Sequence, residues 1–169
     1  MTLTHANFQA IAAKLIPNGR AYIDGSSCDA VDGDKFETIN PATGQVLAEV
    51  SHCKSADVDR AVAAARRVFN DGTWSRAEPE HRKEVLLKVA TLVREHTTEL
   101  AVLESLDTGK TITDCLHEIG TEVPRFFQWY AELADKTFGK IAPTGLGALA
   151  LITYEPVGIA AGVLPWNFR

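Results

Sequence analysis

Hydrophobic positions along the chain follow three rhythms in succession. The first twenty residues are mixed and predict a short helix. Ala21 to Gly25 (AYIDG) predicts a short strand that ends at a glycine turn, and Phe36 to Val50 (FETINPATGQVLAEV) predicts two strands around a turn. Asn40-Pro41 and Thr43-Gly44 carry that turn, because proline fixes φ and glycine accepts a positive one. From residue 55 the period changes to that of a helix. Ser55 is placed as an N-cap with Asp57 and Asp59 in the first turn, and Val58, Val62, Ala65 and Phe69 recur on one face. Asn70-Asp71-Gly72 stops this helix. A second begins near Pro79, presents Val85, Leu86, Val89, Leu92 and Val93, bends near Thr97-Thr98, resumes with Leu100, Leu103 and Leu106, and stops at Asp107-Thr108-Gly109. A third is predicted from about Thr113 to Thr137, kinked at Pro124, which cannot donate a backbone hydrogen bond.

After Gly139 the rhythm turns to strand. Ala148 to Leu164 (ALALITYEPVGIAAGVL) predicts two strands joined at Glu155 to Gly158. The second, Gly158 to Leu164, is small and apolar throughout, as suits a strand buried on both faces of a parallel sheet. Such a sheet needs further βα units. The pattern therefore predicts an α/β protein whose sheet is only begun in these 169 residues.

Composition narrows the partners. The chain is 46% hydrophobic, 23% charged and carries a net charge of -5, with no basic stripe to neutralise phosphates. That argues against nucleic acid. No run approaches the length of a membrane span, and no secretory signal pattern opens the sequence. Cys28, Cys53 and Cys115 are odd in number and widely spaced, which suits reduced thiols in a cytoplasmic protein. His5, His52, His81, His96 and His117 lack zinc-like spacing. No nucleophile elbow, C-x-x-C, H-E-x-x-H or phosphate loop is present. Cys115 neighbours Asp114 and Glu118, which disfavour a thiolate, so it reads as an inert helix cysteine.

Five blocks carry more information together than any does alone: FETINPATGQVLAEV, DVDRAVAAARRVF, LESLDTGK, RFFQWYAELADK and EPVGIAAGVLPWNF, in that order. Together they resemble the N-terminal part of the NAD(P)-dependent aldehyde dehydrogenase superfamily over residues 20 to 168. Within it the chain is most similar to the bacterial gamma-(glutamylamino)butyraldehyde and betaine aldehyde dehydrogenase branch. The resemblance implies an incomplete Rossmann-like cofactor-binding domain. Residues 1–137 would be its N-terminal helical part, 138–157 an oligomerisation hairpin, and 158–169 the first sheet strand and the start of the active-site loop.

It also implies roles for single residues. The Asn167 side-chain amide would donate to the substrate carbonyl oxygen as a cysteine attacks; losing one such donor costs about 3 kcal/mol. Pro165, Trp166 and Asn167 would line the NAD or NADP site, and Phe168 a wall of the substrate tunnel. Arg169 stands where the family usually has proline. Thr38, Ile39 and Asp107 would supply oxygens to a monovalent cation, potassium or sodium, a hard ion suited to carbonyls and a carboxylate. Glu118 and Glu122, four apart on one helix face, would border the tunnel mouth and attract a cationic amino-aldehyde. Read alone, Asn167 equally suits a strand-end turn, Asp107 a helix end, and the two glutamates a solvated face.

Family members run to about three times this length, a multiple of the usual single-domain size, and none of the three cysteines matches their nucleophile. The expectation is a homo-oligomeric parent, dimer or tetramer, acting on a small aldehyde, with this chain inactive by itself. The competing expectation is a truncated, non-catalytic homologue that serves as an assembly or binding module.

Overall fold

The computed structural model describes residues 3–164. Helix α1 (His5–Ala12) opens the chain under a reciprocal cap. Asn7 N–H donates to Thr4 Oγ1, and Thr4 N–H donates to Asn7 Oδ1 at 2.8 Å. β1 (Ala21–Ile23) and β2 (Ser26–Cys28) form an antiparallel hairpin. Its two turn residues, Asp24 and Gly25, both take positive φ, 54° and 77°, the geometry that matches the twist of paired strands. β3 (Lys35–Ile39) and β4 (Val46–Ser51) form a second hairpin, with a register shift between Thr38 and Ile39. Gly44 closes its turn at φ 70°, its N–H donating to Asn40 O at 2.8 Å.

Helix α2 (Ser55–Asp71) starts one residue differently from the sequence expectation: Ser55 is its first helical residue and Lys54 the cap position. The capping acceptor is Asp57. Its Oδ2 takes the N–H of Lys54 at 3.1 Å, and its Oδ1 takes the N–H of Val31, 26 residues earlier, at 2.9 Å. Asp57 is 2% exposed, so one carboxylate ties the loop after β2 to the start of α2. Gly72, at φ 85°, ends the helix as expected.

α3 (Pro79–Glu95) and α4 (Thr97–Thr108) are separated at His96. Thr97 Oγ1 donates back to Val93 O and Arg94 O, at 3.1 and 2.9 Å, satisfying carbonyls that the broken helix leaves over. Gly109 caps α4 at φ 76°.

The third predicted helix is divided. α5 (Ile112–His117) is followed by a π-turn at Glu118–Glu122 and then by α6 (Val123–Leu133). A continuous α-helix would need Pro124 to donate to the carbonyl of Gly120, and proline has no N–H. Instead the coil widens, and Val123 N–H donates five residues back to Glu118 O. Burial shows the consequence. Cys115 and Ala131 are both fully buried. An unbroken helix would set them about 160° apart, whereas absorbing one residue in the π-turn brings them to about 60°. α6 packs along α3, and Ala90, Ala101, Val102, Cys115 and Ala131 form the helical core. The helix ends at Leu133, short of the expected Thr137.

β5 (Lys140–Ala142) pairs antiparallel with β6 (Ala150–Ile152). The expected strand over Gly158 to Leu164 is not formed: β6 pairs with the strand before it, and residues 153–164 lie in no strand. Val157 and Val163 are 99% and 98% exposed. A parallel strand is fixed only by bonds to neighbours, and the described residues supply none. The three sheets among the described residues are each two-stranded.

Candidate functional site

Two places gather the chemistry among the described residues. The first lies where β3 crosses α4. Thr38 Oγ1 donates to Asp107 Oδ1 at 2.6 Å, across 69 residues of chain. Both line a hollow of about 390 Å³, together with Leu103, Glu104 and Ile119. Ile39 lies beyond the register shift and outside that lining. Glu104, which sequence reasoning missed, sits one helical turn before Asp107. Its Oε1 is buried and finds no hydrogen-bond partner among the described residues. No group of three or more His, Cys, Asp or Glu among the described residues is disposed to hold a metal ion. A hydroxyl, a carboxylate and a second buried carboxylate oxygen are nonetheless hard donors of the kind a monovalent cation takes.

The second place is the π-turn. It separates the surroundings of the two glutamates that the sequence sets on one face. Glu118 Oε2 accepts from Lys110 Nζ at 2.5 Å, in a partly buried pair, and Lys110 Nζ also lies 4.0 Å from Glu104 Oε1. The Glu118 bond raises the Lys110 ammonium above the usual lysine range. Glu122 faces elsewhere. It lines a hollow of about 400 Å³ with Arg125, Phe126, Trp129 and Tyr130, three aromatics that are each more than half exposed. Its Oε1 stands 3.8 Å from His117 Nε2. Lys110 is the other residue that sequence reasoning did not assign. Glu104 and Asp107, three apart on α4, share a helix face and were the available signal for Glu104; Lys110 lies past the Gly109 cap, where no helical spacing announces it.

The π-turn is held from behind as well. A Cβ on Gly120 would come within 2.9 Å of Thr97 Cγ2, so the turn approaches the α3–α4 break as closely as a glycine allows.

The cysteines behave as expected for bystanders. Burial pushes the Cys115 thiol up, and Glu104 adds to the effect. Burial also raises Cys53, with Asp57 contributing. Neither is poised as a thiolate nucleophile. Pro165, Trp166, Asn167 and Phe168, to which the sequence assigns cofactor, oxyanion and tunnel roles, lie outside the described residues.

A helical layer with three flanking hairpins and a Thr38–Asp107 contact across 69 residues of chain define an N-terminal portion of the aldehyde dehydrogenase fold. The model of the aldehyde dehydrogenase family matches residues 29–169, and the chain belongs to that family. Aminoacetaldehyde dehydrogenase of Pseudomonas aeruginosa is 48% identical over 166 residues, covering 98% of this chain and 34% of that protein. The NADP/NAD-dependent aldehyde dehydrogenase PuuC of Escherichia coli is 44% identical over 163 residues, covering 96% and 33%. The crystal structure of the aldehyde dehydrogenase KauB from Pseudomonas aeruginosa superposes with a TM-score of 0.96 at 41% identity, over 99% of this chain and 34% of that one. The chain thus spans about a third of the length of the relatives it matches. No helix among the described residues is long and apolar enough to cross a membrane.

Proposed function

We propose that this chain is the N-terminal part of an oxidoreductase that converts an aldehyde, in particular an amino-aldehyde, to a carboxylic acid with NAD or NADP. The observation that carries the reading is the near-complete match of this chain to one third of an aminoacetaldehyde dehydrogenase. The KauB superposition adds that the backbone holds the family arrangement. In this reading a cysteine outside these residues attacks the aldehyde carbon and forms a thiohemiacetal. Asn167 donates its amide to the oxygen as charge develops there, Pro165 and Trp166 border the cofactor, and Phe168 walls the tunnel. The bound nicotinamide supplies the hydride acceptor. PuuC, by its name, accepts both NADP and NAD, which supports either cofactor here.

The remaining assignments rest on the same reading. Thr38, the Ile39 backbone and Asp107 hold a monovalent cation that braces β3 against α4, supported by the Thr38–Asp107 contact. Residues 1–137 form the helical part of the cofactor domain; 158–169 become its first sheet strand and the start of the active-site loop only where further βα units flank them, since 158–164 lie in no strand here. Residues 138–157 are an oligomerisation hairpin in a dimer or tetramer, as the exposed Ile141, Leu149 and Leu151 suggest. The protein works in the cytoplasm, with its three thiols free. The 169 residues alone turn over no aldehyde, because they carry no activated nucleophile.

The test is a chimera in which these residues replace the matching third of the Pseudomonas aminoacetaldehyde dehydrogenase. Oxidation of aminoacetaldehyde, followed as NADH or NADPH formation, should be retained. Asn167→Ala in the chimera should lower kcat by about a hundredfold, the usual loss for one oxyanion donor. A folded chimera without activity, or an Asn167→Ala form that is unimpaired, would overturn the proposal.

A further inference from the structure

The hollow where β3 crosses α4 has two cationic side chains at its margin, and each is engaged by a carboxylate outside it. Arg20 reaches the lining, and its guanidinium donates to both oxygens of Asp29 at 3.1 and 3.2 Å. The Lys110 ammonium donates to Glu118 at 2.5 Å. Glu104 is left with a buried Oε1 that no described group hydrogen-bonds. Lys110 Nζ stands 4.0 Å from that oxygen, beyond hydrogen-bond range. We infer that Glu104 is a further ligand of the monovalent cation, and that Glu118 keeps it available by holding Lys110 away. The inference rests on the cation reading above and names the residues that regulate that site.

A buried carboxylate oxygen without a donor costs free energy that a donor or a cation recovers. Glu104 lies one helical turn before Asp107 on α4 and shares the lining with Asp107 and Thr38, so one helix face brings both carboxylates to the hollow. A hard cation takes oxygen donors and gains most from the charged ones. Lys110 and the cation are rivals for Glu104, because two positive charges cannot both lie against one oxygen. The bond to Glu118 decides the rivalry. Without it, the ammonium can close the 4.0 Å gap and occupy Glu104 itself. The π-turn that carries Glu118 also supplies Ile119 to the wall of the hollow, so the restraint acts at close quarters. Cys115, the other titratable neighbour of Glu104, is held neutral by burial and does not compete.

The experiment measures cation binding by the 169-residue chain, not turnover. Thermal unfolding is followed at constant ionic strength while choline chloride is replaced by potassium chloride, and in parallel by sodium chloride; the gain in stability gives an apparent dissociation constant. Each variant is compared with itself in choline, so its intrinsic stability does not enter. The parent should be stabilised saturably by one or both ions, and Asp107→Asn should remove the effect. Glu104→Gln should weaken binding about tenfold. Glu118→Ala should weaken it about threefold, and Lys110→Met should tighten it about threefold. In the Lys110→Met background Glu118→Ala should have no further effect, because no ammonium remains for Glu118 to restrain. Equal weakening by Glu118→Ala in both backgrounds would make Glu118 a distant charge and overturn the restraint. A parent that responds to either ion and loses the response in Asp107→Asn, but binds as well in Glu104→Gln, would overturn the role of Glu104 and leave the cation reading standing. A parent that responds to neither ion would overturn the cation reading and the inference with it.

Discussion

Asp57 shows how much one side chain can hold. Its two oxygens accept from Lys54 and Val31, and it is buried to 2%. Removing it leaves the α2 cap unmade and a part-buried N–H without a partner. Asp57→Ala should therefore cost about 2–3 kcal/mol in urea unfolding. Asp57→Asn, which keeps one acceptor oxygen, should cost less; equal losses would deny the two-sided role. The thiols give a second check. Cys53 is exposed and Cys115 buried, where burial holds the thiol above its ordinary value. At pH 8 a thiol reagent should modify Cys53 while Cys115 reacts only as the chain unfolds. Rapid labelling of Cys115 in the native chain would contradict the packing around α5. Charge on the surface sets the pH response. Asp32 and Asp135 are held below the usual carboxylate value by lysine hydrogen bonds, and Asp71 by bonds from Thr73. A lowered pKa stabilises above the unfolded carboxylate value and is lost as pH falls through the folded one, so these groups weaken the fold only in acid, below about pH 4. Lys110 is raised, so its contribution is complete below the unfolded lysine value and fades only as pH climbs beyond it. Stability should be flat from pH 6 to about 9 on account of these groups.

At the scale of elements, the π-turn is the informative feature. The sequence shows Pro124 and an apolar stripe, from which a kinked helix follows. It does not show that the chain will absorb an extra residue to keep Cys115 and Ala131 on one core. Gly120 records the packing that results. In an ordinary helix Gly→Ala gains up to about 1 kcal/mol. Here the added methyl would meet Thr97 Cγ2 at 2.9 Å, and Thr97 is anchored by two hydrogen bonds. Gly120→Ala should therefore destabilise the chain by about 1 kcal/mol or more. In a Thr97→Ser background, which removes that methyl and keeps the hydroxyl, the same change should become neutral or stabilising. Additive effects in the double-mutant cycle would deny the contact.

For the whole molecule, the governing fact is how much apolar surface stays uncovered. Phe126, Trp129 and Tyr130 on α6, Leu149 and Leu151 at the hairpin, and Val157, Val163 and Leu164 at the end are all exposed. Exposed apolar patches of this kind favour association. In size-exclusion chromatography the 18.4 kDa chain should elute above its monomer mass at micromolar concentration, and Leu149→Lys with Leu151→Lys should shift it towards the monomer. A monomer in both forms would show that the hairpin is not an association edge. The chain covers a third of its relatives, and the same surfaces are where the remainder of a family member would lie in the proposed reading.

What the sequence determined by itself was local. Gly72 and Gly109 stop helices, Asn40 to Gly44 turns a hairpin and Pro79 starts a helix, because caps and turns depend on neighbours within a few residues. The family was legible too, since five separated blocks agree in order. Tertiary structure decided what depends on distant partners. Asp57, not Ser55, caps α2, because the cap doubles as a tie to Val31. Glu118 and Glu122 share a face in sequence and part company in space, because Lys110 arrives from the preceding loop to hold one of them. Gly158 to Leu164 has the composition of a buried strand and forms none among the described residues, because a strand of a parallel sheet exists only by the hydrogen bonds its neighbours give it.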